Sequence, residues 1–171
     1  ANYLKLPADT LSTVTENGYS VSMWAKVSDT TWEHSALFEA DSSAEAPNYP
    51  MTRIGANLIA RINANGYSDV QGDLLSSSGV RNEWEQIVYT VNPNGIKVYL
   101  NGQLVGEEQK NITTCFDNAN EFSIQKAVNV SVGSGFIWND EDVRNARFDD
   151  VKIYDGTLTA EEVMNIYQDT I

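Results

Sequence analysis

Short segments in which apolar and polar residues alternate recur along this chain, and turn-forming residues separate them. The segment "YSVSMWAKV" (19–27) places Val21, Met23 and Ala25 on one side of an extended chain, and "GIKVYL" (95–100) repeats the pattern. Alternation with a period of two is typical of strands that are buried on one face. The pattern therefore predicts an all-β protein.

The turn signals predict that neighbouring strands pair as antiparallel hairpins. "VNPNGI" joins two strand-like segments, and its Asn94–Gly95 pair suits positive φ angles, while "LNGQLVG" predicts a second tight hairpin around Asn101–Gly102. Further strand-like segments occupy residues 2–6, 35–40, 58–63, 84–91, 121–125 and 148–154, whereas residues 41–51 and 63–83 are irregular. Many short strands at this spacing predict a two-sheet antiparallel β-sandwich, with residues 1–171 as a single domain.

The segment "TLTAEEVMNIY" (157–167) predicts one short C-terminal helix. Thr159 and Glu162 have the spacing of a capping box, and Leu158 and Val163 have that of a hydrophobic staple. A helix of this length is marginal on its own in water. We therefore expect its apolar face to pack on the sandwich and to close an open end of it.

The charge composition argues against several classes of partner. Lys and Arg total 11 against 24 for Asp and Glu, which gives a formal charge of -13. Nucleic-acid binding needs the opposite sign, because neutralised phosphates supply most of its affinity. The single cysteine, Cys115, excludes an intrachain disulfide, and no apolar run reaches the ~20 residues of a membrane span. An acidic surface suits neutral ligands and cations such as Ca²⁺.

Three segments in a fixed order resemble a known family. The residues that carry the resemblance are Trp24, Trp84, Tyr99, Asn101, Gly102, Asp149, Tyr154, Leu158, Thr159, Glu161 and Glu162. In this order they resemble the laminin-G-like branch of the concanavalin A-like lectin/glucanase superfamily, although residues 41–80 match poorly. The resemblance implies a jelly roll with one concave sheet.

The same resemblance suggests a function and a cellular context. Bacterial members look like carbohydrate-binding modules attached to glycoside hydrolases or other secreted enzymes, and many hold a structural Ca²⁺ near the closing strand. The chain also starts within a strand-like segment, so we expect a module excised from a larger multidomain protein. We expect it to be an extracellular or cell-surface monomer whose partners are a carbohydrate ligand and the catalytic domain of the same polypeptide.

The sequence lacks a convincing catalytic motif. Enzymes of the wider fold carry paired carboxylates on one strand, roughly 5–5.5 Å apart when the reaction retains configuration. The nearest string is "EADSSAE", with Glu39, Asp41 and Glu45, but its last spacing is wrong. His34 is the only histidine, and no motif of a serine hydrolase surrounds it. We therefore predict a non-catalytic domain.

A sugar site combines a flat aromatic side chain with groups that hydrogen bond to hydroxyls. The candidate ligand-binding residues are Trp32, Tyr49, Arg53, Arg61, Asn63, Tyr67 and Trp138. Alternation puts Arg61 and Asn63 on the same face of one strand, and Gln86 is a weaker candidate. An ion pair with a carboxylate explains the two arginines equally well. The two tyrosines are as well suited to packing within their own loops as to binding a ligand. Trp24 and Trp84 occupy framework positions, where packing is expected.

The aspartates of the closing strand suggest a metal site. Asp149 shares alternation with Val151 and Ile153, so we expect it to point inward at the rim, while Asp150 faces solvent. An inward carboxylate must be paired or bound to a metal. The family resemblance favours Ca²⁺, with Glu16 as a further ligand. Hydrogen bonds from backbone N–H groups to Asp149 are the alternative.

Together with these patterns, the family resemblance implies a non-catalytic carbohydrate-binding module that recognises glycans through loops and the concave sheet face and targets an attached enzyme. The alternative from another class is a laminin-G-like protein-interaction or adhesion domain. A catalytic glucanase relative ranks third.

Overall fold

The structure is a computed structural model, and it describes residues 4–7, 18–27, 36–41, 52–55, 60–63, 67–68, 82–109, 121–124, 129–132, 136–139 and 146–171. The strands are β1 (Leu4–Leu6), β2 (Tyr19–Val27), β3 (Ala36–Asp41), β4 (Thr52–Gly55), β5 (Ala60–Asn63), β6 (Tyr67–Ser68), β7 (Trp84–Asn92), β8 (Gly95–Leu100), β9 (Gln103–Gln109), β10 (Glu121–Ile124), β11 (Asn129–Val132), β12 (Phe136–Asn139) and β13 (Ala146–Asp155). One helix, α1 (Ala160–Thr170), follows them. Within these ranges, no helix is long and apolar enough to span a membrane.

The strands form two large sheets and a small ribbon. The order is β1-β10-β3-β4-β5-β6 in a six-stranded sheet, β13-β2-β7-β8-β9 in a five-stranded sheet, and β11-β12 in the ribbon. Every pairing is antiparallel. Strands distant in sequence are neighbours, as in β1-β10 and β13-β2, so the chain crosses between the sheets. This confirms the predicted all-β jelly-roll sandwich with one C-terminal helix.

The core lies between the two large sheets. Val21 and Met23 of β2 are fully buried on its inner face, as is Tyr89 of β7. The ring of Tyr19 lies 6.2 Å from that of Phe38 on β3, and both side chains are buried. The Tyr19–Phe38 contact joins the sheets, so the face of β3 that carries Phe38 is the inner one. The opposite face of the six-stranded sheet is its outer face.

The helix begins as predicted but packs elsewhere. Thr159 is the N-cap, and the reciprocal bonds with Glu162 form a capping box (2.7 and 3.2 Å). Val163 is buried with Val88 and Tyr99 from the five-stranded sheet, and Leu158 packs against this cluster. Val88 alternates with the inward-facing Ile87 and Tyr89, so α1 covers the outer face of that sheet. The expectation that it closes an open end is wrong.

The two predicted hairpins differ in their turns. The β8–β9 turn has Asn101 at φ 48 and Gly102 at φ 80, as expected of an Asn-Gly pair. In the β7–β8 turn, Gly95 has φ 151 and Asn94 is not among the positive-φ residues of the described chain. Pro93 precedes Asn94, and because proline holds φ near about −65° it excludes a mirror-image turn there.

Candidate functional site

The register of the six-stranded sheet builds one polar row across five strands. Cα partners follow one another from β1 through β10, β3 and β4 to β5. The row consists of Lys5, Ser123, Glu39, Arg53 and Arg61. Because Glu39 adjoins the inward-facing Phe38 along β3, alternation puts the row on the outer face. Arg53 lies on β4 and Arg61 on β5, and the register makes them direct cross-strand neighbours.

Two more predicted residues lie on the same face at the sheet edge. Asn63 follows Arg61 by two positions on β5, and its register partner is Tyr67 on the edge strand β6. Residues two apart on a strand share a face. The structure thus brings Arg53, Arg61, Asn63 and Tyr67 to one region. We call the row of five residues, together with Asn63 and Tyr67, the outer polar face.

Acidic residues adjoin the arginines on this face. Glu39 is the register partner of Arg53, and Asp41 that of Glu121. The backbone register makes Glu39 the cross-strand neighbour of Arg53, so an ion pair stays the alternative explanation of this arginine. Glu39 and Asp41 share a face of β3, but Glu45, the third carboxylate of the weak catalytic string, lies outside the described residues.

The other predicted ligand-binding residues do not join this face. Trp138 lies on β12 of the two-stranded ribbon, where its register partner is Val130. Trp32 and Tyr49 lie outside the described residues. Gln86 is 1% exposed beneath the outer surface of β7, and burial keeps it from contacting a ligand.

Asp149 lies on a different face from the one that simple alternation predicts. Its register partner is Trp24, whereas Lys152 pairs with Ser22, so one extra residue is accommodated between them. Asp150 has φ 49 at this bulge. The extra residue reverses the alternation, and it places Asp149 on the outer face with Trp24 instead of with Ile153. Asp149 is exposed, so the expected inward orientation is wrong.

The two aspartates already have partners. Asp149 Oδ1 accepts a hydrogen bond from the Asp150 backbone N–H (2.8 Å), which is the alternative to metal that the sequence left open. Asp150 Oδ2 accepts a hydrogen bond from Lys152 Nζ (2.7 Å), and this bond raises the pKa of the Lys152 ammonium. The expectation that Asp150 is exposed is confirmed.

The described residues do not by themselves complete a calcium site. Ca²⁺ requires 6–8 oxygen ligands. No group of three or more Asp, Glu, His or Cys side chains converges within the described part of the chain. Glu16, the second predicted ligand, lies outside it. Calcium binding at Asp149 stays a prediction that depends on additional ligands.

Trp84 departs from the sequence-based expectation of packing. Its side chain is 44% exposed at the start of β7. It lines a depression of about 370 Å³ on the outer face of the five-stranded sheet, together with Trp24, Asp149, Asp150 and Thr170. The sequence did not predict this surface, because a Trp at the first position of a strand is expected to pack in the core. Its only signal was the polar context of "RNEWEQ", since charged neighbours on both sides are typical of a strand end at the surface.

Comparison with known proteins identifies the fold family. A family model described as the concanavalin A-like lectin/glucanases superfamily, of the laminin-G type, matches residues 1–164. Among curated proteins, no sequence matches this chain significantly.

Solved structures with the same fold share little sequence with this chain. Domain 4 of an extracellular arabinanase from Geobacillus stearothermophilus, in complex with arabinotriose, has a TM-score of 0.67 at 21% identity, over 97% of this chain and 72% of that one. A botulinum neurotoxin type C structure, described as interacting with two ganglioside molecules, has a TM-score of 0.65 at 14% identity, over 99% of this chain and 39% of that one. A Trypanosoma rangeli sialidase has a TM-score of 0.59 at 14% identity, over 89% and 23%.

The coverage and the sequence identity of these matches limit the conclusions that they support. The chain spans most of the arabinanase domain but well under half of the toxin and sialidase chains. Identities this low establish a shared fold only. The ligand of each protein has to be inferred from the residues of its own site. The family model, in contrast, covers nearly the whole chain. This chain therefore belongs to the concanavalin A-like lectin/glucanase superfamily, in its laminin-G-like branch.

Proposed function

We propose that this domain is a non-catalytic carbohydrate-binding module that recognises a glycan on its outer polar face. The observation that carries the proposal is the cross-strand register of Arg53 and Arg61, with Asn63 and Tyr67 beside them. Guanidinium and amide groups donate hydrogen bonds to hydroxyls, and an aromatic ring contacts the apolar face of a sugar. The outer polar face combines both kinds of group.

The dimensions of this face suit an extended ligand. Neighbouring strands lie about 4.8 Å apart, so a row across five strands spans about 19 Å. Such a length accommodates several sugar units laid across the strands. The row contains both charges, with Lys5 at one end, Glu39 in the middle, and Arg53 and Arg61 at the other end. A neutral chain rich in hydroxyls can therefore find both donors and acceptors along it.

The whole molecule supports the same ligand class. A formal charge of -13 disfavours nucleic acid and anionic surfaces, but not neutral sugars. Two structures of the same fold are described with arabinotriose and with gangliosides. We propose by analogy with the arabinanase domain that the module is secreted and that it targets a catalytic domain of the same polypeptide.

The proposal is tested by glycan-array screening followed by calorimetric titration of the best glycan. Arg61→Ala and Arg53→Ala are each expected to weaken binding by about tenfold, because each loses hydrogen bonds made by a charged group. Lys97→Ala is the matched control, since Lys97 is an exposed cation on the five-stranded sheet. It is expected to bind as wild type.

The possible results separate the candidate functions. Equal affinity of wild type, Arg61→Ala and Arg53→Ala would place the site elsewhere on the domain. Binding to no glycan would instead favour a protein-interaction or adhesion domain. Turnover of β-glucans by the isolated domain would contradict the non-catalytic assignment.

A further inference from the structure

The depression around Trp84 has features of a binding site and lies away from the outer polar face. Its lining combines two tryptophans, two carboxylates and one hydroxyl, from β7, β2, β13 and the end of α1. A volume of about 370 Å³ falls within the range of about 300–1,000 Å³ typical of small-molecule sites. It lies on the five-stranded sheet, whereas the outer polar face belongs to the six-stranded sheet. The core separates the two surfaces.

The first tryptophan, Trp24, is held rigidly. Its ring lies 6.0 Å from that of Tyr167 at an interplanar angle of 31°. Its Nε1–H donates a hydrogen bond to Thr170 Oγ1 (3.2 Å), and the single proton of this hydroxyl is shared between the carbonyls of Ile166 and Tyr167, both 3.0 Å away. Helix α1 therefore fixes one wall of the depression before any ligand binds. A preformed wall reduces the entropic cost of binding.

The second tryptophan supplies accessible aromatic surface. Trp84 is 44% exposed, although it belongs to a strand whose next residues are buried. Its register partner is Lys26, which pairs in turn with Arg147. The neighbouring row contains Asp149 opposite Trp24. The exposed indole of Trp84 thus lies in the same row as two cations, and the neighbouring row supplies a carboxylate acceptor.

We infer that this depression is a second carbohydrate site, which takes one or two units of a neutral sugar. The apolar face of a pyranose or furanose stacks on the Trp84 indole, and its hydroxyls donate hydrogen bonds to Asp149 and Asp150. Asp149 Oδ1 accepts the Asp150 N–H, and no other described interaction engages Oδ2 of Asp149. That oxygen is the acceptor to which the inference assigns a sugar hydroxyl.

A neutral organic ligand fits this surface better than an amine. The Asp150 carboxylate is already paired with Lys152 at 2.7 Å. Lys26 and Arg147 lie on the same outer face as Trp84. The positive charges therefore compensate the two aspartates, and an amine gains little Coulomb energy here. Hydroxyl groups do not require a net charge of either sign.

The test follows the indole N–H signals of the intact domain by NMR while arabinotriose, xylotriose and cellotriose are each added at millimolar concentration. The chain has four tryptophans, and the signal that disappears in Trp84→Phe is that of Trp84. At least one trisaccharide is expected to shift the Trp84 and Trp24 signals. Trp84→Ala is expected to weaken that binding by about tenfold, because the stacking surface is lost.

Two further variants keep the test independent of folding and of the first site. Asp149→Asn retains an oxygen that can accept the Asp150 N–H but removes the charge, and it is expected to weaken binding several-fold without lowering the melting temperature. Leu104→Ala is the control for exposure, because Leu104 is 46% exposed on the edge strand β9. The titrations are repeated in Arg61→Ala, where binding at the outer polar face is expected to be about tenfold weaker and binding at the Trp84 depression unchanged.

Several outcomes overturn the inference. Trp84 signals that no trisaccharide shifts would exclude a neutral-sugar site, as would Trp84→Ala binding as tightly as Leu104→Ala in the Arg61→Ala background. A shift caused by lysine methyl ester but by no trisaccharide would identify a cation site instead. Trp84 signals that shift equally in Arg61→Ala and in the wild type support a second site that is independent of the outer polar face. Trp84 signals that shift while Arg61→Ala binds as wild type would refute only the proposed outer polar face.

Discussion

Gly18 and Gly156 both have positive φ angles, 74 and 93, yet their surroundings differ. A Cβ added at Gly18 would lie 1.9 Å from the Val91 carbonyl oxygen, whereas one at Gly156 would meet nothing within 4 Å. Val91 lies on β7 and is the register partner of Tyr19, the first residue of β2. Gly18 therefore permits a close approach of two backbones, and Gly156 only a turn.

Substitution of the two glycines separates strain from steric clash. Gly156→Ala is expected to lower the free energy of unfolding by about 1 kcal/mol, the cost of a left-handed alanine. Gly18→Ala is expected to lower it by more than about 3 kcal/mol, because the strands must also separate. Urea denaturation measures both. Equal losses would show that the backbone at Gly18 relaxes freely.

Tyr99 makes stability depend on alkaline pH. Burial raises the pKa of its phenol, and the nearby Glu107 carboxylate raises it further. The folded state therefore holds this proton more tightly than the unfolded chain. Its contribution to stability is complete below the unfolded pKa, about 10, and is lost as pH rises through the higher folded pKa. Lys152, whose pKa is raised by Asp150, acts in the same direction but is exposed.

The free energy of unfolding is accordingly expected to fall between about pH 9 and about pH 11. Tyr99→Phe removes the phenolic proton, so the fall is expected to be smaller in this variant. Guanidinium denaturation at the two pH values measures the difference. An identical fall in the variant and the wild type would assign the alkaline sensitivity to other groups.

Asp149 shows how one extra residue in a strand makes a prediction from alternation wrong. Strict alternation assigns it to the face of Ile153, but the bulge at Asp150 moves it to the face of Trp24. The bulge depends on a positive φ, which aspartate tolerates better than most residues. An Asp-Asp pair is compatible with such a bulge but also with a regular strand. Only the pairing with β2 distinguishes them.

At the scale of secondary structure, α1 depends on its first turn. Thr159→Ala removes the side chain that accepts the Glu162 N–H, and it is expected to lower the free energy of unfolding by about 1 kcal/mol. Thr159→Ser keeps the hydroxyl and is expected to lose much less. Thermal unfolding measures both variants. Equal losses for alanine and serine would mean that the cap contributes no stability.

Most strands were predictable from local patterns, and the short strands β1, β5 and β10 were among them. The nine-residue strands β2 and β7 and the six-residue β8 were predicted nearly in full. The two-residue strand β6 lies inside a stretch predicted to be irregular, and β4, β11 and β12 have only four residues each. Segments this short are not reliably recognised from their own residues. Their partners across the sheet hold them in place.

At the scale of the whole molecule, calcium is expected to raise stability if the prediction at Asp149 holds. A ligand that binds only the folded state at one hundred times its Kd adds about 2.7 kcal/mol. The melting temperature of the domain is therefore expected to rise in calcium and to fall in a chelator, with magnesium as the control. Asp149→Asn is expected to reduce the difference. No shift in the wild type would remove Asp149 and Glu16 from the metal ligands.

The two proposed sugar sites lie on opposite outer faces of the sandwich. The six-stranded sheet carries the outer polar face, and the five-stranded sheet carries α1 and the Trp84 depression. Both surfaces are built from residues far apart in sequence. A module with sugar sites on opposite faces can contact two glycan chains, and the gain in affinity then depends on the geometry between the chains.

The sequence by itself determined the all-β class, the two main hairpins and the capped terminal helix, because alternation, turn chemistry and capping are local properties that a few neighbouring residues specify. It also limited the ligand class through its charge. Only the tertiary structure decided which polar residues meet. Glu39, Arg53 and Arg61 become neighbours through strand register. Trp84 shares a depression with Trp24 and Thr170 through strand pairing and the docking of α1. Register and helix docking arise from contacts between distant segments, which no local pattern encodes.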